Sequence, residues 1–318
     1  MRRDNVPSDP PTQIEKSSEK LNEINPFKEF GSGLMDAISV HRVLRLYLDS
    51  ERARSLTAKC FLLNGVIFLG SMVMFESVVR PSIIRIAGFV LEEPQNVVGL
   101  ADIVMSWIFR FFWIVPAYAI SFVLNCVFYE EIADVAFKYY SPGRKSKRMS
   151  FTRLIAEELY RICIMIFIFF EVSLVACVPI AGHFLAISML TWVYAYYCFE
   201  YKWLLQGLSL SRRLKEIESN WIYYAGFGTP CTLATYFFPT LVAGGLFGVL
   251  FPIFLLTAMS VSPSSTTTTR RRLPIFASSK HAVESLVRLG FRRKNGGGTS
   301  ASGKKKKSDD GAVKTTRR

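Results

Sequence analysis

The sequence predicts an all-α integral membrane protein with about six hydrophobic helices held between two polar tails. Three observations carry that reading. Half of the 318 residues are hydrophobic, and 26 are Phe. The apolar residues are gathered into six blocks of 18 to 27 residues instead of being dispersed with the period of an amphipathic strand or helix, and about 18 consecutive apolar residues suffice to cross a bilayer. Lys and Arg concentrate in alternate connections between the blocks, as expected when those connections stay in the cytoplasm.

Residues 1–33 are rich in Ser, Pro, Glu, Lys and Asn and are expected to form a disordered N-terminal tail with no cleavable signal peptide. Residues 34–58 read as an amphipathic helix. Leu34, Ile38, Leu44 and Leu48 supply its apolar side, and Arg42, Arg45, Arg52 and Arg54 its basic one. Such a helix either lies in the membrane interface or packs on the rest of the protein. Residues 59–261 form the multi-pass domain, with blocks at 60–79, 103–129, 159–181, 184–205, 221–238 and 240–261. Residues 262–318 read as a basic, disordered C-terminal tail. From Arg270 onward it carries 15 Lys or Arg against three Asp or Glu, which is +12 of the formal +14. Charge held in a tail, not on a folded face, points away from nucleic acid and towards anionic lipid at the membrane surface. Within that tail, residues 281–293 have the spacing of a short basic amphipathic helix using Val283, Leu286, Val287 and Phe291.

The connections set the orientation. Arg42, Arg45, Arg52, Arg54 and Lys59 precede the first block, Lys138, Arg144, Lys145, Lys147, Arg148 and Arg153 follow the second, Arg212, Arg213 and Lys215 follow the fourth, and Arg270, Arg271 and Arg272 follow the sixth. The loop at 81–102 sets Arg85 against Glu92, Glu93 and Asp102, and the connections at Gly182 and Pro239 carry no Lys or Arg. Six crossings with both termini cytoplasmic satisfy this pattern. The tight connections at 179–183 and 238–240 suit hairpins that enter only part of the bilayer from the cytoplasmic face, which leaves the pattern unchanged. The full crossings therefore number six, four or two.

A charge inside a span costs about 2.5 to 3.5 kcal/mol on insertion scales, so each needs a reason. The membrane-embedded polar candidates are Glu76, Arg110, Glu171, Glu200 and Lys202. Glu200, Lys202 and Arg161 lie near the cytoplasmic ends of their blocks, where long side chains can snorkel to water. Glu76 has Arg80 one turn away, and an interhelical Glu76–Arg110 pair is geometrically open. Glu171 sits mid-block. It reads as packed against another helix, with a proton or ion site as the sharper alternative. The six cysteines form no C-x-x-C pair, and His41, His183 and His281 are far apart. No metal spacing or Ser/His/Asp constellation appears, so neither a cofactor nor an enzymatic activity is expected.

One stretch is more specific. Tyr197-Cys198-Phe199-Glu200-Tyr201-Lys202-Trp203 is followed by Arg213-Leu214-Lys215-Glu216-Ile217-Glu218, then by Asn220-Trp221-Ile222-Tyr223-Tyr224-Ala225-Gly226-Phe227-Gly228-Thr229-Pro230. Gly226-x-Gly228-x-Pro230 follows no strand and lacks the Lys-Ser/Thr ending of a phosphate loop. Either the glycines let helices approach while Pro230 kinks the fifth helix, or an opened helix end lines an anion path.

This stretch closely resembles the etoposide-induced protein 2.4 family, and Trp113-Ile114-Val115-Pro116 and Glu131-Ile132-Ala133-Asp134-Val135-Ala136-Phe137 look like its earlier segments. The resemblance covers roughly 59–261. It implies a multi-pass endoplasmic reticulum membrane protein linked to autophagy and growth control, with the bilayer and other membrane or autophagy proteins as partners. A more distant likeness to CysZ-type sulfate permeases implies helix pairs that penetrate the bilayer halfway. It keeps a second function class in view, a transporter or channel for a small anion. Anion flux in liposomes separates the two.

Overall fold

The computed structural model describes residues 25–91, 95–144, 151–261 and 272–296, and every described element is helical. The tail residues 1–24, 262–271 and 297–318 lie outside the described residues. The chain enters through α1 (Pro26–Ala37), whose first N–H groups are capped by the Asn25 side chain accepting from Phe27 N at 2.9 Å, with Pro26 preset for the first turn. A break at Ile38–Ser39 leads to α2 (Val40–Asp49). Ser50 accepts from Ala53 N and opens α3, which begins as Glu51–Phe61. The amphipathic segment expected at 34–58 is thus three helices, and it starts earlier, at Pro26.

α3 widens into i→i+5 turns at Leu62–Gly70 and Phe75–Val79 and continues as Arg80–Leu91. α4 returns as Gln95–Phe109, a wide segment Arg110–Ile114, and Val115–Tyr140. α5 (Phe151–Ala176) and α6 (Ala181–Leu205) form one tight hairpin. The short α7 (Leu210–Ser219) precedes a second, α8 (Trp221–Tyr236) with α9 (Thr240–Ser260). α10 (Ala277–Gly296) lies within the region read as tail and packs on α5. The tail is therefore partly built into the fold: Phe276 and Val283 are buried, and Leu273 N donates to Glu218 O. Apolar spacing at 281–293 foretold part of α10, but the anchoring Phe276 lies before that window.

Among the described residues four helical stretches are long and apolar enough to cross a membrane: Glu51–Ile86, Asp102–Tyr140, Leu159–Ala176 and Thr240–Ser260. α6 and α8 are not among them. α6 carries two charges near its end, and α8 has 16 residues, or about 24 Å at 1.5 Å per residue.

All six hydrophobic helices meet at one end of the molecule, the base, where α1, α2 and α7 also pack. The base core is aromatic: Tyr196, Phe199, Tyr224, Phe227 and Phe251 are buried together. Backbones approach closely because glycines stand at the crossings. A Cβ on Gly33 would meet Tyr223 O at 2.0 Å, one on Gly226 would meet Phe30 O at 2.1 Å, and one on Gly228 would meet Thr191 O at 1.8 Å. Small residues at such crossings are the usual means of packing helices where lipid supplies no hydrophobic drive.

The other end is different. Gly245 sits against Leu69, so Thr240, five residues earlier, faces about position 74, roughly six residues or 9 Å short of Arg80. Beyond the α8–α9 turn, Phe75–Leu91 and Gln95–Ile114 pack chiefly against each other. We call this two-helix extension the arm. The turns of both short hairpins are apolar and exposed: Val178, Ile180 and Phe184 in one, Phe237 and Phe238 in the other. Their N–H groups close on the preceding helical turn, as in Cys177 N to Leu174 O, Val178 N to Val175 O, and Phe238 N to Thr235 O. Backbone that meets lipid must be satisfied internally, and these turns meet that requirement.

Candidate functional site

The densest polar chemistry lies in the base, where three helices bring charges to one carboxylate. α6 places Glu200 and Tyr196 one turn apart on its buried face. Arg213 on α7 donates to Glu200 Oε1 at 2.9 Å, the Tyr196 hydroxyl donates to the same oxygen at 2.9 Å, and Arg161 on α5 donates to Oε2 at 2.6 Å. Glu200 and Arg213 are each 1% exposed. Both carboxylate oxygens are engaged, so the site ties α5, α6 and α7 together and offers neither oxygen to a ligand.

Lys202, two residues on, turns to α9. Its ammonium donates to Ala258 O at 3.2 Å and to Val261 O. The last carbonyls of a helix have no partner of their own, and a cation there also meets the negative end of the helix dipole. Lys202 caps α9 from a neighbouring helix. Glu200, Lys202 and Arg161 therefore do not snorkel to water as their positions near block ends suggested. Their ends of the spans are roofed by α7, α10 and the end of α9, so buried partners are nearer than solvent.

The remaining candidates lie elsewhere. Glu171 on α5 accepts from Ser279 Oγ of α10 at 3.1 Å. Glu76 pairs with Arg80 one turn on at 2.9 Å, and Arg80 also grips Asp102 with two nitrogens, at 2.8 and 2.7 Å. That clamp joins the two arm helices, and a Glu76–Arg110 pair does not form among the described residues. Arg110 is exposed on the arm, next to Phe109, whose ring stacks on Phe75 at 3.6 Å.

The Asn220–Pro230 stretch is a packing surface. Asn220 reaches back to Glu216 Oε1 at 2.9 Å, and Trp221 O accepts from Trp192 Nε1 at 2.8 Å. The Tyr223 hydroxyl donates to Asp36 of α1 at 2.9 Å, while Tyr224 and Phe227 set their rings against Phe199 at 5.1 and 4.8 Å. Gly226 admits α1 and Gly228 admits α6, and Pro230, inside α8, has no N–H to return to Gly226 O. On α7, burial pushes the Glu216 carboxyl above the usual carboxylate range, with the Asn220 hydrogen bond pulling the other way.

Sequence reasoning missed a second polar junction. Asn64 of α3 and Asn125 of α4 exchange amide hydrogen bonds at 2.9 and 2.8 Å, and Gly248 O of α9 accepts from Asn64 at 3.3 Å and from the Tyr129 hydroxyl at 3.2 Å. The available signal was a lone Asn in each of two apolar blocks. Among the described residues no group of three His, Cys, Asp or Glu is placed to hold a metal ion.

The chain matches a family described as Sulfate transporter CysZ/Etoposide-induced protein 2.4 over residues 39–252. It is 34% identical over 284 aligned residues to Protein EI24 homolog of Arabidopsis thaliana, covering 77% of this chain and 89% of that one. It is 27% identical over 277 residues to Protein EI24 homolog of Dictyostelium discoideum, covering 85% and 87%. A shorter likeness, 40% over 63 residues and 20% of each chain, links it to Ectopic P granules protein 4 of Caenorhabditis elegans. No solved structure matches. The Gly228–Thr191 crossing, the Glu200 cluster and the aromatic base fall within the matched residues, and the chain belongs to the Sulfate transporter CysZ/Etoposide-induced protein 2.4 family.

Proposed function

We propose that this protein is a non-enzymatic, multi-pass factor of the endoplasmic reticulum membrane that serves autophagy or membrane organisation and growth control, with both termini in the cytoplasm. Family membership, with relatives that share most of the chain, is the observation that carries this reading. The interior chemistry supports it: Glu200, Lys202 and Glu171 each bond a neighbouring helix, as parts of a scaffold do. The clustering of Lys and Arg in alternate connections supports the orientation, and the basic tail favours anionic lipid as a partner. Cells lacking the protein should stall in autophagic flux, and Glu200→Gln should impair rescue only as far as it lowers abundance. Normal autophagy in such cells would sink the reading. Glycosylation acceptors placed near Glu92 should be modified in microsomes, and those near Ser146 or Thr299 should not. Modification at Ser146 would reverse the orientation.

The second reading is a pathway for a small anion. The matched family's description includes a sulfate transporter, and the α8–α9 turn stops short of the Arg80 level. Purified protein in liposomes should pass no sulfate above the rate of empty liposomes. Protein-dependent sulfate flux would promote this reading over the first.

A further inference from the structure

The base and the arm have very different cross-sections, and a bilayer must accommodate both. Six hydrophobic helices run through the base, and at about 10 Å diameter each fills ~80 Å², or ~470 Å² together. Past the α8–α9 turn two helices remain in mutual contact, about 160 Å².

The base widens further through α1 and α2. The α2 residues Val43 and Leu46 are buried, yet Val40, Leu44 and Leu48, spaced four apart on another face, are 41%, 54% and 81% exposed. On α1 and at its C-cap, Phe27 and Ile38 are also exposed, at 85% and 50%. His41 and Arg45 are also exposed on α2 and Arg54 at the start of α3, with Asp49 and Glu51 exposed between them and Arg52 paired with Glu131 at 3.0 Å. An exposed apolar row flanked by mixed charges, on helices that pack against α8 and α9, fits one surface, the headgroup–acyl boundary, and the +12 tail selects an anionic leaflet.

We propose that the protein is a wedge-shaped inclusion that prefers, and at high density produces, curved membrane with the base leaflet on the convex side. Its partner is the lipid surface itself, an anionic leaflet whose headgroups are spread by curvature. The base, with α1 and α2 inserted in the plane, adds area to one leaflet, while the arm adds to the other no more than about a third of what the six helices alone add. A bilayer with such inclusions relaxes by bending towards the wider side. The inference deepens the membrane-organising reading and rests on it for its biological sense, but the test below reads geometry alone.

The full chain is reconstituted into vesicles of phosphatidylcholine with phosphatidylserine, and its density per membrane area is read on single vesicles from about 50 to 400 nm across, with base-outward molecules identified by an antibody to the C-terminal tail. The expected result is a severalfold higher density of base-outward protein on the smallest vesicles, and tubules by electron microscopy at high loading. The exposed-face variant Leu44→Glu/Leu48→Glu should fold as wild type by circular dichroism and lose about half or more of that preference. A single-residue control on the arm, Arg85→Gln, should keep it. Equal density at every diameter, or a preference for the largest vesicles, overturns the wedge. Curvature sorting in vitro with normal autophagy in cells lacking the protein would sink the reading above and leave the wedge standing.

Discussion

The base and the arm are built from the same apolar composition by opposite means. In the base, glycines, aromatic rings and buried ion pairs lock at least six helices into one arrangement. In the arm, the contacts among the described residues include one stacked ring pair, Phe75 on Phe109, and one charge clamp, Arg80 on Asp102. The arm leaves Trp107, Phe111 and Phe112 exposed at 66%, 67% and 73%. The same residue type therefore carries different consequences in the two regions. A charge in the base is a structural tie, and a glycine there is a contact. In the arm a glycine is merely the absence of a side chain.

The strongest way to break this comparison is to remove the central tie. Glu200→Leu leaves the buried Arg213 guanidinium without its carboxylate, and stripping one member of a buried ion cluster costs roughly 3 to 5 kcal/mol. Loss of folded protein in detergent extracts, or a thermal transition lowered by roughly 6 to 20 °C, is expected. A variant as stable as wild type would mean the cluster ties nothing. For a domain of this size each kcal/mol moves the transition by about 2 to 4 °C, so the shift is readily measured.

Glycine substitutions sharpen the contrast. Gly228→Ala would drive a Cβ into Thr191 O, and overpacking of this kind costs about 1 to 3 kcal/mol. Gly99→Ala in the arm meets nothing within 4 Å. It should be neutral or stabilising by up to ~1 kcal/mol through helix propensity. Opposite signs are expected in parallel thermal melts, and equal signs would dissolve the distinction between the regions.

The asparagine junction is subtler. Asn125→Leu leaves Asn64 half-satisfied and should cost about 1 to 3 kcal/mol, while Asn64→Leu/Asn125→Leu removes both amides and should cost less than the sum of the single changes. A double variant that merely adds its parts would show that the amides do not act as a pair.

The smallest effect is on α7. The folded chain holds a proton on Glu216 to a higher pH than the unfolded chain, because burial raises its carboxyl. The folded state thus binds more protons between the ordinary carboxylate value and the raised one, and stability falls as pH rises through that window. Glu216→Gln should flatten this part of the pH profile and be no less stable than wild type at neutral pH. An unchanged slope would assign the pH dependence to another group.

Local features of both regions could be read in the sequence and tertiary ones could not: the segment 81–102, read as a loop from its charges, is mostly helix, as Arg80–Leu91 and Gln95–Phe109. Hydropathy located the six blocks because apolar runs need no tertiary context, and the Glu76–Arg80 spacing is local. Asp102 was counted only as a loop charge, since its partner Arg80 lies 22 residues away across the hairpin. Arg213 was likewise read as a connection charge that sets orientation. Its burial depends on how α7 folds back under α6, and no periodicity records that. The tail helix α10 was half legible for the same reason: its apolar spacing is local, but Phe276 is buried by Tyr196, 80 positions away. Gly226 and Gly228 were singled out as small residues at a helix crossing, yet which helix each one admits depends on α1, whose start at Pro26 fell inside a segment that composition marked as featureless.

The bond between Arg161 and Glu200 also constrains how the chain is made. Synthesis releases Arg161 first, and its carboxylate follows 39 residues later. An α5 inserted alone would lack the Glu200 carboxylate until α6 arrived. The two helices are joined by a turn of four residues, 177–180, so they can enter the membrane as one hairpin with the Arg161–Glu200 bond already made, and Arg213 joins the cluster only after α7 has emerged. The order of the three charges along the chain is the order in which the cluster's members become available.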